Sequence, residues 1–218
     1  LLKNAKDVLH QHDAELVGNS FHSLEETQFS SYVSNAVAAK PDVLLLLNFS
    51  SQNTNTIKQA VSFGVKKKMT VLSAWSSGLS QYQALGADTV DGLYFGCQYW
   101  HGIDTEENKK FVAFVQKKLG QPPNYPMATG YVEAKLLADG IKEAGSTDPD
   151  KVIAALEGYK YDGVTGPEHI RSDNHQVEKD YYLLKGKPKA KMADKYDFME
   201  IVSSGKSFRP TGQTQCKL

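Results

Sequence analysis

The chain has 218 residues and carries 25 Lys+Arg against 25 Asp+Glu, so its formal net charge is zero. That balance argues against a nucleic-acid binder, which needs a basic surplus to neutralise phosphates. Apolar residues make up 40% and charged residues 23%, as in an ordinary globular protein. A chain of this length buries roughly 70% of its unfolded surface and needs no metal or disulfide staple. Its longest apolar run, Val43–Leu47, falls far short of the ~18 residues of a membrane span. The two cysteines, Cys97 and Cys216, make neither a disulfide scaffold nor a metal spacing. Cys97 reads as a small core residue on a strand. A disulfide from Cys216 needs an extracytoplasmic compartment, with Cys97 or a cysteine outside this sequence as its partner.

Leu1, Leu2, Ala5, Val8 and Leu9 form a helical stripe that no capping residue precedes, so further sequence is expected upstream. Glu15 to Phe21 is a strand candidate. A helix follows with Thr27 as its cap and Phe29, Tyr32, Val33, Ala36 and Val37 inside. After Lys40-Pro41-Asp42, the run Val43–Leu47 suits a parallel strand covered on both faces. Asn48 to Asn55 is polar, and a helix with Ile57, Ala60 and Val61 inside closes at Gly64. Lys66-Lys67-Lys68 reads as a solvated helix exit. Met69 to Leu72 and Gly92 to Tyr99 read as strands around a short helix, Leu79 to Leu85. This alternation has the rhythm of right-handed βαβ crossovers and predicts an α/β fold with an open, doubly wound, mostly parallel sheet over residues 1–100.

Beyond Trp100 the pattern changes. Asp104 or Thr105 can cap a helix with Phe111, Val112, Phe114, Val115 and Leu119 inside, ended by Gly120-Gln121-Pro122-Pro123. A second helix is expected from Met127 to Ala144, and a third behind Asp148-Pro149. Gly163 to Lys185 reads as a β-hairpin, with Ile170 and Tyr181–Leu184 flanking a turn at Ser172–His175. Tyr196 to Val202 is a last strand before a tail with Arg209-Pro210.

No nucleotide-binding glycine motif, nucleophile elbow or metal-ligand spacing is present, so neither cofactor, metal nor catalytic residue is expected. The six histidines are scattered, and Glu25-Glu26, Glu106-Glu107 and Asp148/Asp150 sit at helix starts, where negative charge is favourable in any case. What remains is topological, because open α/β sheets bind ligands outside the carboxyl ends of their strands. Two such ends are readable: Asn48-Phe49-Ser50-Ser51-Gln52 and Ser73-Ala74-Trp75-Ser76-Ser77. Each pairs one aromatic with small polar side chains, which suits a small ligand with an apolar body and a polar head. The same residues are also ordinary loop and cap formers. Gln98-Tyr99-Trp100-His101 lies where strands give way to helices, and its Tyr99 and Trp100 either line a cleft or wedge two lobes together.

Several segments, weak singly but specific in their order and spacing, carry a resemblance. They are Phe29-Ser30-Ser31-Tyr32, Lys40-Pro41-Asp42-Val43, Ile57-Lys58-Gln59-Ala60 leading to Phe63-Gly64, and Asp91-Gly92-Leu93-Tyr94. Then come Gly166-Pro167, Ile170-Arg171, Asp173 to Gln176 with Asp180-Tyr181-Tyr182, Phe208-Arg209-Pro210 and Cys216-Lys217-Leu218. Together they resemble the type I periplasmic binding proteins, in particular the branched-chain amino-acid type of ABC-transporter substrate-binding protein.

The resemblance implies two Rossmann-like lobes closing on a ligand. Residues 1–100 would be most of the second lobe, 101–195 the helices and hairpin belonging to the first, and 196–218 a crossing strand and tail. Most of the N-terminal lobe would be missing, and with it half of the site. The ligand contacts would fall on Phe49, Ser50, Ser51, Ser73, Ala74 and Trp75, with Tyr99 and Trp100 at the junction. Relatives that bind aliphatic amino acids place a carboxylate near the second loop, where this chain has Ser-Ala-Trp. The implied function is the periplasmic, or anchored extracytoplasmic, solute-binding component of an ABC importer. Its partners would be a small organic acid or amino acid and an ABC permease, with membrane contact only through the permease and none with nucleic acid. The rival readings are a ligand-sensing receptor domain of the same fold and an α/β enzyme with an unrecognised site.

Overall fold

In a computed structural model, which describes residues 1–206, the chain divides into two compact units. The first holds Leu1–Cys97 and Leu183–Glu200, and the second holds Gln98–Tyr182 and residues 201–206. The chain leaves the first unit after Cys97 and re-enters it at Leu183.

The first unit opens with α1 (Leu2–Gln11) and α2 (Ser30–Ala39), followed by β1 (Val43–Leu46), α3 (Ser50–Ser62) and β2 (Thr70–Ser73). Then come α4 (Leu79–Leu85), α5 (Ala87–Val90) and β3 (Tyr94–Cys97). β1, β2 and β3 pair in parallel, with Leu46 beside Ser73 and Ser73 beside Phe95. Helix α3 buries Asn53, Thr56, Ile57 and Ala60, a stripe at the spacing of one helix face. Around it Val65, Tyr82, Val90, Leu93 and Phe95 are essentially without exposure, and the Tyr82 and Phe95 rings meet edge to face at 5.1 Å. Full burial of side chains of this size is worth about 1.5–3 kcal/mol each. Cys97 is buried on β3, as read; Cys216 and the rest of the tail lie outside the described residues.

The second unit contains α6 (Glu106–Leu119), α7 (Tyr125–Ala144), α8 (Pro149–Leu156) and an antiparallel sheet of β4 (Lys160–Gly163), β5 (Gly166–Ile170) and β6 (Val177–Glu178). Thr105 caps α6 by accepting the Asn108 N–H at 3.1 Å, and Asp148 caps α8 through the Lys151 N–H. Gly120 ends α6 in the left-handed conformation that glycine adopts without strain. Gly140 allows α7 to approach α8 closely, because a Cβ there would lie 2.9 Å from Leu156 Cγ. Two further strands, β7 (Asp180–Gly186) and β8 (Met199–Lys206), complete the larger sheet in the order β1-β2-β3-β7-β8. No helix among the described residues is long and apolar enough to cross a membrane.

Four local expectations are corrected. Glu15 to Phe21 forms no strand, since no neighbouring strand offers it a ladder. β1 is an outer strand with Val43 and Leu45 exposed, and α1, none of whose residues is buried, covers neither. Thr27 does not cap α2; Gln59 of α3 accepts the Phe29 N–H at 2.6 Å and donates to the Thr27 carbonyl at 3.0 Å, which fixes that helix entry from outside. Tyr181–Leu184 is not the return arm of the hairpin. That arm is β6, with Val177 opposite Ile170, while β7 lies beside β3 with Leu184 fully buried.

The Thr105 hydroxyl has two tasks, since it also donates to the Val164 carbonyl at 3.1 Å. Thr105→Val should cost about 1–2 kcal/mol in urea unfolding, and Thr105→Ser should retain most of that stability.

Candidate functional site

The parallel register brings the carboxyl ends of β1 and β2 side by side, and the Ala74 N–H extends the ladder by donating to the Leu46 carbonyl at 3.0 Å. The two loops therefore leave from one edge of the sheet. Phe49, the N-cap of α3, is extended, and its ring meets Trp75 edge to face with centroids 5.6 Å apart. Such a pair contributes about 0.5–1.5 kcal/mol beyond its area. Phe49 is 45% exposed, Ala74 is exposed and Trp75 is half-buried, so the pair forms an open wall. Ser50 and Ser51 are exposed, and Ser50 has φ +54°, an uncommon conformation for a residue other than glycine. No side chain caps α3. Neither 48–55 nor 73–78 contains a charged residue.

Ser73 is placed differently from its neighbours. It is 1% exposed, and its hydroxyl lies 3.2 Å from Asn53 Oδ1 and 2.9 Å from the Trp75 carbonyl. Tyr99 and Trp100 fall in the second unit, both 3% exposed. The Tyr99 hydroxyl donates to Asn108 Oδ1 at 2.7 Å, and burial pushes its pKa far above the usual phenol range, so it stays a donor. Tyr99 also borders a cavity of about 150 Å³ within that unit, with Tyr125, Tyr161, Glu168 and Lys179 on its walls. Buried Glu168 accepts from the Tyr161 hydroxyl at 2.6 Å and from the Thr165 hydroxyl. Desolvation holds the Lys179 ammonium below its usual pKa, and the Glu168 charge partly opposes this.

Sequence reasoning missed the residues that hold the open wall in place. Gln52, on the first turn of α3, donates to the Ser23 carbonyl at 3.2 Å and to the Leu24 carbonyl, fastening that segment to the helix. Asn53 and Gln81 are buried and bonded to each other at 2.7 Å. The signal for Asn53 was present: it lies four residues before Ile57 and seven before Ala60, on the face already read as inward. Gly96 of β3 is another positioning feature, because a Cβ there would collide with the Ala74 carbonyl.

Residues 1–191 match the periplasmic binding protein family, and the chain belongs to that family. It is 50% identical to an amino-acid ABC transporter substrate-binding protein from Pseudomonas fluorescens Pf-5, with a TM-score of 0.98 over 100% of this chain and 58% of that one. A periplasmic binding protein from Burkholderia mallei is 27% identical, with a TM-score of 0.86 over 99% of this chain and 58% of that one. A solute-binding protein of an ABC transporter from Rhodopseudomonas palustris, solved with benzoate, shares the fold at 18% identity. Its TM-score is 0.80 over 98% of this chain and 56% of that one. The chain thus spans under three-fifths of the length of each of these proteins.

Gly96→Ala should push the Ala74 backbone outward. We expect a loss of about 1–3 kcal/mol in urea unfolding, together with a changed near-ultraviolet signal from Trp75.

Proposed function

We propose that this chain acts as part of the solute-binding component of an ABC importer and supplies one wall of the solute site. The observation that carries this reading is the exposed Phe49–Trp75 pair at the carboxyl ends of two adjacent parallel strands. Two aromatic rings offer a surface for an aromatic or branched apolar body. The first-turn amides of α3, which no side chain caps, suit a carboxylate head. In this reading the ligand meets Phe49, Ser50, Ser51, Ala74 and Trp75, and Ser73 serves by holding the loop. Tyr99 and Trp100 serve as packing in the second unit.

The ligand class is a small organic acid or amino acid. The uncharged Ser73-Ala74-Trp75 loop favours an aromatic acid or amide over an aliphatic amino acid, whose ammonium would need a carboxylate there. The Pseudomonas relative, described as an amino-acid transporter component, supports the broader class, and the benzoate complex of the Rhodopseudomonas protein is compatible with an aromatic acid. The protein makes no covalent change. Its solute shifts an open–closed equilibrium, and an ABC permease recognises the closed form at the outer face of the membrane. The compartment is the periplasm, or the extracytoplasmic surface if the protein is anchored.

Calorimetry with benzoate and L-phenylalanine tests this. The longer Pseudomonas relative should bind one of them at micromolar concentration or tighter. This chain should bind on the order of 100-fold more weakly, because it offers only part of the head-group contacts. In this chain Phe49→Ala should weaken the residual binding about two- to tenfold. Undiminished binding by both Phe49→Ala and Trp75→Ala would relocate the site, and recovery of a chemically altered solute would make the protein an enzyme.

A further inference from the structure

The polar side chains around the two loops are mostly turned inward onto one another. Asn53 is 0% exposed. Its Nδ2 donates to Asn48 Oδ1 at 3.0 Å, and its Oδ1 faces Gln81 Nε2 at 2.7 Å and the Ser73 hydroxyl at 3.2 Å. These partners come from three places: the end of the β1 segment, the end of β2, and α4. Asn48 is held a second time, donating to the Thr56 hydroxyl at 2.8 Å. Gln81 carries the connection onward, its Oε1 accepting from the Ser76 hydroxyl at 3.1 Å and the Ser77 N–H at 2.9 Å. The loop bearing Trp75 is therefore fastened at Ser73, Ser76 and Ser77, and the residue preceding Phe49 is fastened to the same buried amide.

We infer that Asn53 is a positioning residue of the solute site: one side chain sets the offset between Phe49 and Trp75 before a ligand arrives. This deepens the solute-binding reading and rests on it. A buried amide that loses a partner bears the full cost of its desolvation, so the connections favour being complete. The two loops then behave as one piece. A ligand meets rings already ordered, and the entropy of fixing them is not charged against its affinity. The neighbours can also be told apart by role. Asn48, Ser73, Gln81 and Ser76 spend their polar groups on the interior. Ser50 and Ser51 remain exposed for a ligand.

Iodide quenching of tryptophan fluorescence in the full 218-residue chain reads this directly, since Trp100 is 3% exposed and the accessible indole is Trp75. Asn53→Leu keeps the branched shape and removes every side-chain hydrogen bond. Ile57→Val, buried on the same helix, controls for general loss of stability. With all chains folded by circular dichroism, Asn53→Leu should raise the quenching constant about twofold or more, and Ile57→Val should leave it unchanged. Asn53→Asp keeps the acceptor but loses the donor to Asn48, and should fall between. If Asn53→Leu does not fold, Asn48→Ala takes its place and should raise Trp75 quenching through Asn53. A folded Asn53→Leu or Asn48→Ala chain with wild-type quenching overturns the inference.

Benzoate separates the two levels. If Asn53→Leu loosens Trp75 while no concentration of benzoate protects the wild-type indole from iodide, the positioning role stands and the solute reading for benzoate falls. If benzoate protects Trp75 while Asn53→Leu changes nothing, the reverse holds.

Discussion

Parallel pairing in a single register is the constraint from which the rest of the first unit follows. Because Leu46 lies beside Ser73 and Ser73 beside Phe95, the chain leaves β1 and β2 at one edge and must return across a face through a helix each time. α3 and α4 make those returns, so their N-terminal turns sit behind the same edge. The close approach of Gly96 to the Ala74 carbonyl belongs to the same geometry: β3 has to leave room for the backbone that follows β2. An aromatic residue in each departing loop then meets its counterpart without any long-range search, and the 5.6 Å ring separation follows from strand spacing plus a short excursion on each side.

The two units handle buried polarity in different ways. In the first, neutral amides and hydroxyls satisfy one another around Asn53, so no charge is desolvated near the candidate wall. In the second, an ionisable pair, Glu168 and Lys179, borders the cavity. Two hydroxyls stabilise the carboxylate there, while burial works against the ammonium. The neutral arrangement holds the loops bearing Phe49 and Trp75 with amide and hydroxyl hydrogen bonds alone. The charged one ties β5 to β4 and to Thr165 through the hydroxyls that Glu168 accepts from.

Elements whose signals are local were legible from residue types. Asp148-Pro149 announced α8, Thr105 and Gly120 bracketed α6, and the short helix Leu79–Leu85 formed with the bounds read. The loops that carry Phe49 and Trp75 were legible as well, because strand ends in an α/β alternation are a matter of chain order. What escaped depends on partners distant in sequence. Tyr181–Leu184 has the same strand pattern whether it pairs with a hairpin arm or with β3, and only the second is realised. Glu15 to Phe21 has strand composition but no ladder. Asn53 shares the inward face of α3 with Ile57 and Ala60, but its hydrogen bonding depends on Asn48, Ser73 and Gln81 arriving around it, which chain order alone does not reveal.

The chain passes between the two units after Cys97, after Tyr182 and after Glu200. Neither unit is therefore an uninterrupted stretch of polypeptide. As the chain emerges from the ribosome, the sheet holding β1, β2 and β3 waits for β7, and every residue of the second unit up to Tyr182 is made before that strand can dock. The biosynthetic order thus makes maturation of the first unit a late event, completed only after most of its neighbour has been produced.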